Sequence, residues 1–251
     1  LLTEKYLSGI IHPRAGNDFG DYGAQQCMGD IFVKCTHEGL ISNYKRELDL
    51  STGMGSVSYT AGNVLYKRTY FGCYPSRAMV YHFSNDAKAG ASYQIKLTTP
   101  HPVDSIVFKK SVLHCYAHLE DNGQKFVTSL IVDTDGRVFY KDSLLHIDKA
   151  SVLTIKHIAH TDYNNNFPEY HNQGFLKEAE SHSGFIQRED FESLKQTHLD
   201  DYCPLFNRLG LELKGISRDD VPTDERIKNY HSGQEDMGLE VLFFQYARYL
   251  M

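Results

Sequence analysis

Thirteen histidines and a set of paired acids are the groups in this 251-residue chain whose spacing invites chemistry. The tightest histidine pair is "HCYAH", His114 and His118. On a helix, residues four apart share a face and could share a metal ion. Here Leu113, Cys115, Ala117 and Leu119 alternate with the polar residues, which reads as a strand. Four residues of strand span about 13 Å, too far for one ion. "HIAH", His157 and His160, reads as straddling a strand end. The acids pair as Asp200-Asp201, Asp219-Asp220, Asp224-Glu225 and Glu235-Asp236. A glycosidase needs two carboxyl groups on different elements, facing each other across a sugar. Neighbours in sequence do not supply that. Asp224, Glu225, Glu235 and Asp236 fit better as caps and charges at helix starts, where the helix dipole favours acids. "HLDDY" places His198, Asp201 and Tyr202 at i, i+3 and i+4, a hydrogen-bonding set on one face. Its plainer reading is a helix anchoring itself to a sheet. "DTDGR" is too short for a calcium loop and reads as a hairpin turn. No GxSxG, phosphate-loop or dinucleotide fingerprint occurs. Zero tryptophan removes the commonest sugar-stacking platform, although 17 tyrosines could substitute. The catalytic-residue list from local chemistry is therefore empty, substrate-binding residues stay unassigned, and no metal or cofactor is expected.

The elements that would position such groups fall into two halves. Residues 27 to about 158 read as some dozen short strands. "SVSYTA" sets Val57 and Tyr59 against Ser56, Ser58 and Thr60, and "ASYQIKLTT" sets Tyr93, Ile95 and Leu97 against Ser92, Gln94, Lys96 and Thr98. Turn residues punctuate them at "STGMG", "AGN", "SNDAKAG", "EDNGQ" and "DTDGR". Asn122-Gly123 and Asp135-Gly136 carry the strongest hairpin signal, because Asn and Gly tolerate positive φ. No strand–helix–strand alternation appears, so the expected fold is mainly β, an antiparallel β-sandwich. After residue 165 the period becomes helical. Helices are expected over 169–181, over 188–209 with Pro204 kinking or dividing it, from Thr223 with Thr223 as cap, and from about Asp236.

The hydrophobic share of 41% supports a sizeable core. A charge of −6 without long like-charge blocks argues against a nucleic-acid partner. No run of about 18 apolar residues exists to span a membrane. Cys27, Cys35, Cys73, Cys115 and Cys203 are scattered without CxxC spacing, which disfavours a zinc site or a disulfide scaffold. The chain opens on "LLTEKYL" and closes on "LEVLFFQYARYLM", both with helical spacing. Leu239, Leu242, Phe243, Tyr246 and Leu250 share a face. A piece of a longer protein is expected on this pattern. The stripe would then face a missing partner, and self-association through this C-terminal helix, or docking on the chain's own linker, would follow.

Several phrases occur in a telling order: "DYGAQQCMGDIFV" (21–33), "YKRELDLSTGMGSVSYTAGNVLYKRTYFGCYPSRAMVYHFS" (44–84), "HLDDYCPLFNRLGLEL" (198–213), "VPTDERIKNY" (221–230) and "LEVLFFQYARYLM" (239–251). Together they resemble glycoside hydrolase family 95, the α-L-fucosidase family. The resemblance implies an N-terminal β-sandwich over 1–165, incomplete at its start, an α-helical linker over 166–234, and the start of a truncated catalytic (α/α)6 barrel over 235–251. It also implies an inverting hydrolase acting on α-linked L-fucose or a related sugar in glycans. In that family a glutamic acid protonates the leaving oxygen, and asparagines aided by an aspartate activate water. Those groups follow the helix that ends this chain, so none is carried onto a residue here, and the fragment itself is expected to be inactive. "QQCMGD" departs from the family's "YQPLGD"-like phrase, Ala247 replaces the glycine of "FQYGRYL", and Pro204 intrudes on the linker. A fucosylated glycan is the implied partner of the longer protein, and a periplasmic or extracellular location the implied compartment. A stand-alone carbohydrate-binding or structural β-sandwich is the alternative.

Overall fold

A computed structural model describes residues 26–251, apart from 121 and 169. The "LLTEKYL" stretch, Gly9 and the first part of "DYGAQQCMGDIFV" lie outside the described residues. Twelve strands form two antiparallel sheets, followed by four helices. The smaller sheet has the order β1 (Asp30–Thr36), β6 (Ala91–Thr98), β11 (Leu144–Ala150), β10 (Arg137–Lys141). The larger has the order β2 (Ile41–Asp49), β3 (Met54–Ala61), β4 (Val64–Cys73), β5 (Ala78–Asn85), β12 (Val152–Thr161), β9 (Lys125–Thr134), β8 (Val112–His118), β7 (Val103–Lys109). The mainly β, antiparallel sandwich with helices after it matches the reading of the sequence.

The core between the sheets gathers Tyr66, Leu130, Leu153 and Ile155 from the large sheet against Tyr93, Ile95, Leu145 and Ile147 from the small one. The opposite face of the large sheet is not solvated. Helix α1 (Phe175–Arg188) and helix α2 (Phe191–Phe206) cover it, burying Phe71, Val80, Ile131 and Ile158 against Ile186 and Leu194. The molecule thus has a third layer. Central strand β9 is consequently buried on both faces from Phe126 to Val132, and Lys156 of β12 is fully buried. Its ammonium donates to the Glu189 carbonyl at 2.5 Å, just past the C-terminus of α1, where the negative end of the helix dipole favours a cation. Burial pulls the Lys156 pKa below the usual lysine range.

Four expectations need correction. Asp135-Gly136 does not close a hairpin, because β9 and β10 lie in different sheets. It carries the chain across the sandwich instead. The Asp135 carboxylate accepts from the Ser151 and Val152 amides at 2.9 and 3.0 Å, tying this crossing to the one between β11 and β12. A Cβ at Gly136 would lie 2.6 Å from the Asp148 carbonyl oxygen, so only glycine fits. Helix α1 runs over Phe175–Arg188 rather than 169–181, and α2 starts only at Phe191, because Glu189 is extended and Asp190 caps α2 by accepting from the Ser193 amide. Pro204 does not divide α2, which runs through it to Phe206; it sits in the last turn and withdraws the one donor that would meet the carbonyl four residues back. Helix α3 (Thr223–His231) has Pro222, not Thr223, at its cap position. Proline's fixed φ suits helix starts. The Asn122-Gly123 turn does join paired strands, β8 and β9, and helix α4 (Met237–Tyr249) has Asp236 as a true N-cap accepting from Leu239.

Candidate functional site

The residues singled out by spacing are dispersed. His114 and His118 lie on one face of β8, as the strand reading required. Each has its own partner: His114 Nδ1 meets Ser129 Oγ at 2.8 Å, and His118 Nδ1 meets Asp104 Oδ1 at 2.8 Å. His157 and His160 both lie inside β12 rather than across its end. Residues three apart on a strand point to opposite faces. His160 pairs with His182 of α1 at 2.8 Å, and His182 donates through Nε2 to the Ser76 carbonyl at 2.9 Å. Among the described residues no group of three histidine, cysteine or acidic side chains is placed to hold a metal.

Several of the paired acids have structural partners: Asp219 and Asp236 bond Arg226, and Asp224 pairs with Lys228. Asp200 accepts from Gln196. A recess beside β12 is lined by Asp133, Asp135, Asp190 and Glu192. Asp135 and Asp190 are occupied by backbone amides, and Glu192 pairs with Lys195. That leaves Asp133 as the carboxylate there without a bond to another described residue, and a single carboxylate cannot provide the acid and base of inverting hydrolysis.

"HLDDY" does anchor α2 to the sheet. His198 Nε2 donates to the Thr52 carbonyl at 2.8 Å and Tyr202 to the Leu50 carbonyl at 2.6 Å, gripping the β2–β3 turn. Gly53 in that turn has φ +64 and would place a Cβ 3.1 Å from the Tyr202 ring. Burial pushes the Tyr202 hydroxyl pKa up to about 12. Asp201 takes no part in this grip. The same helix face carries a column of rings. Phe71 of β4 stacks on His198 (4.9 Å), His198 on Tyr202 (5.5 Å) and Tyr202 on Phe206 (5.4 Å). Arg248 of α4 lies 4.7 Å over Phe206 and donates to the Phe206 and Leu209 carbonyls at 2.7 and 2.6 Å. It thereby satisfies acceptors that the end of α2 leaves unpaired.

The other end of α4 is held by a clasp. Arg226 of α3 donates through Nε and Nη2 to both oxygens of Asp236, each at 2.8 Å, and through Nη1 to Asp219 at 3.0 Å. Both Arg226 and Asp236 are buried. The Arg226 bonds, joined by the Leu239 amide, pull the Asp236 pKa down to about 2. Between clasp and column, α4 buries none of its own residues. Phe243 is 75% exposed and Leu250 65%, with Tyr246 also exposed, whereas Leu239 and Leu242 are half-buried.

A cleft of about 460 Å³ opens between the sheets at the Gly29–Asp30 end. Here the inner face of the large sheet turns polar, with Arg68, Tyr70, Tyr81, Thr128 and His157 lining the space opposite Ile31, Val33 and Leu97. Arg68 reaches the Tyr59 hydroxyl at 3.2 Å and lies over the Tyr59 and Phe83 rings.

These placements set a pH dependence. Burial lowers the pKa of His82, His114, His157 and His160 below the ordinary 6.5. The unfolded chain then binds more protons than the folded one below that value, so this stability is present above pH 6.5 and lost as pH falls through the folded pKa values. Asp49 and Asp236, lowered from 3.8, add a second loss at lower pH. Urea midpoints should fall steadily from about pH 7 to about pH 5; a flat or rising midpoint would contradict neutral burial of these imidazoles.

Residues 5–166 match the family model for the glycosyl hydrolase family 65 N-terminal domain. The chain belongs to this family. Its family 65-type domain is followed by residues 190–251, which match the glycosyl hydrolase family 95 catalytic domain and comprise α2, α3 and α4. The family 95 resemblance is therefore carried by the helical part and by curated relatives, while the sandwich takes the family 65 name. Alpha-L-fucosidase 2 of Arabidopsis thaliana is 26% identical over 261 residues, covering 90% of this chain and 31% of the relative. The probable alpha-fucosidase A of Aspergillus niger is 25% identical, covering 91% and 30%, and that of Aspergillus oryzae 24%, covering 94% and 35%. The chain thus spans about a third of the length of these relatives. A solved structure from human microbiome, assigned as a kojibiose phosphorylase, shares the fold over 70% of this chain and 28% of its own, with a TM-score of 0.55 at 9% identity.

The clasp and the cleft had no readable signal in the sequence. Arg226 and Asp236 lie on either side of a helix boundary, and the cleft's polar side chains come from four separate strands.

Proposed function

We propose that this chain is the N-terminal portion of an inverting glycoside hydrolase, periplasmic or extracellular, that removes α-linked L-fucose or a related sugar from glycans. On this reading 1–165 is the sandwich domain, incomplete at its start, 166–234 the linker and 235–251 the start of the catalytic barrel. The observation that carries this reading is the mounting of α4. It belongs to the segment matching the family 95 catalytic domain. It is fixed at both ends to the helices that precede it, at its start by Arg226 of α3 and at its end by the carbonyls that close α2, yet it leaves Phe243, Tyr246 and Leu250 uncovered. Burying each of these would contribute roughly 1.5–3 kcal/mol, so the stripe is a seat for further helices of the same barrel. The chain positions; the acid and the activated water come from residues outside 1–251.

The test is turnover of aryl α-L-fucosides and fucosylated oligosaccharides. Residues 1–251 alone should give none, because each positioned proton donor or acceptor contributes about 10²–10⁴ in rate. A longer protein that includes the catalytic segment should turn over at least one substrate. Fragment activity that falls on Asp201→Asn or Asp224→Asn would show the active site to lie here after all.

A further inference from the structure

We propose that the cleft between the sheets is a non-catalytic binding site for a neutral pyranose sugar, formed by Tyr70, Tyr81, Thr128 and His157. The site is separate from any catalytic centre on the barrel, and it does not depend on the hydrolase reading.

The first argument is the abrupt change of character across one surface. The inner face of the large sheet is apolar wherever the small sheet closes over it, at Leu130, Leu153 and Ile155. Toward the Gly29–Asp30 end it becomes a band of hydroxyls and an imidazole crossing β4, β5, β12 and β9. A face that only had to pack would stay apolar, since an uncompensated polar group costs free energy inside a protein. Nor do these groups serve one another. None of the four side chains bonds to another described residue, and none of their polar atoms is among the sealed, unpartnered ones, which are His146 Nε2 and Arg218 Nε. The Tyr70 ring is laid over Gly55 of β3, and all four side chains line the cleft. Thr128 is only 5% exposed and nonetheless borders it.

The second argument is the kind of ligand this lining suits. Each hydroxyl both donates and accepts, and a neutral imidazole does the same through its two nitrogens. That set complements a ring bearing several hydroxyls. Burial holds His157 toward its neutral form. The two formal charges at the cleft, Asp30 and Arg68, offset each other, so the lining carries no net attraction for an anion or a cation. The Tyr70, Tyr81 and Phe83 rings provide apolar faces of the sort that sugar C–H groups pack on. The volume of about 460 Å³ falls within the ~300–1,000 Å³ typical of small-molecule sites.

The experiment is heteronuclear NMR titration of residues 1–251 with L-fucose and D-galactose, using D-galacturonate and D-galactosamine as charged controls. The expected result is saturable binding of a neutral sugar, with shift changes centred on Tyr70, Tyr81, Thr128 and His157. The Tyr81→Phe/Thr128→Val double variant, which removes two hydroxyls with little change of shape, should bind about tenfold more weakly or worse. Absence of saturation with both neutral sugars, shifts centred elsewhere, equal binding by the double variant, or preference for a charged sugar would each overturn the proposal. Should the double variant misfold, the wild-type shift map alone decides. A negative result leaves the hydrolase reading standing, because that reading is scored on turnover by the longer protein.

Discussion

Replacing Arg226 with leucine frees the start of helix α4. The guanidinium donates twice to Asp236 and once to Asp219, and Asp236 also caps α4 through the Leu239 amide. Removing the arginine leaves a buried carboxylate without its counter-charge, the costly way to break such a pair. Asp236 would then take up a proton more readily and cap less well. Amide exchange in α4 should accelerate about tenfold or more, while exchange in β9 and β12 stays slow. Asp236→Asn should act in the same direction, but more weakly, because an amide can still accept from Arg226 and Leu239. A double variant, Arg226→Leu/Asp236→Leu, should recover part of the loss, since an apolar pair leaves no charge stranded. If α4 exchanges equally fast in the wild type and in Arg226→Leu, the clasp does not hold the helix.

The second large effect lies in the helix–sheet layer. Ile186 of α1 and Leu194 of α2 have essentially no exposed surface and pack on Phe71, Val80, Ile131 and Ile158. Truncating a buried aliphatic side chain to alanine costs about 2–5 kcal/mol, the range reflecting how far the cavity can collapse. Ile186→Ala and Leu194→Ala should each lower stability by that amount in urea titrations, with a single shared transition for helices and sheets. A loss below about 1 kcal/mol, or separate transitions for the two secondary-structure classes, would mean that the helices are only loosely attached to the sandwich.

Much of the architecture could be read from alternation and helical spacing, because both periods follow from backbone geometry. The strands read from alternation form, and the last three helices start within a few residues of their expected places, whereas the first lies several residues later. What period two cannot tell is which sheet a strand joins. Asp135-Gly136 has the residues of a hairpin turn, yet the strands it links lie in different layers. Nor can it tell what covers the second face. Thr154 and Lys156 alternate with Leu153 and Ile155 in β12 as polar residues do on a solvated face, yet they are buried on the face that the helices cover. Helix boundaries slipped where local chemistry competed: Pro222 displaced Thr223 from the cap, and α1 ran on to Arg188, past its expected end at 181, so that only the extended Glu189 and the capping Asp190 separate it from α2. For the candidate sites, the anchoring role of His198 and Tyr202 was legible as a shared helix face. Their acceptors were not, since carbonyls 146 and 152 residues away leave no mark in sequence. The cleft was invisible for a related reason. Tyr81 and His157 are ordinary strand residues until the fold sets them on one wall.

The stack of rings along α2 fixes a length as well as a contact. Phe71, His198, Tyr202 and Phe206 meet because the last three recur every four residues on one helix. One residue inserted or deleted between His198 and Phe206 would swing everything beyond it by about 100° around the axis. Phe206 would then point away from Arg248, and the final helix would lose its seat. Residues 210–214, which contain no helix or strand and lie between the Leu209 carbonyl held by Arg248 and the Ile216 carbonyl held by the Met237 amide, carry no such constraint and can absorb changes of length. The segment between the sandwich and α4 thus behaves as a ruler followed by a slack tether. Relatives should keep the spacing of the ruler fixed and vary freely in the tether.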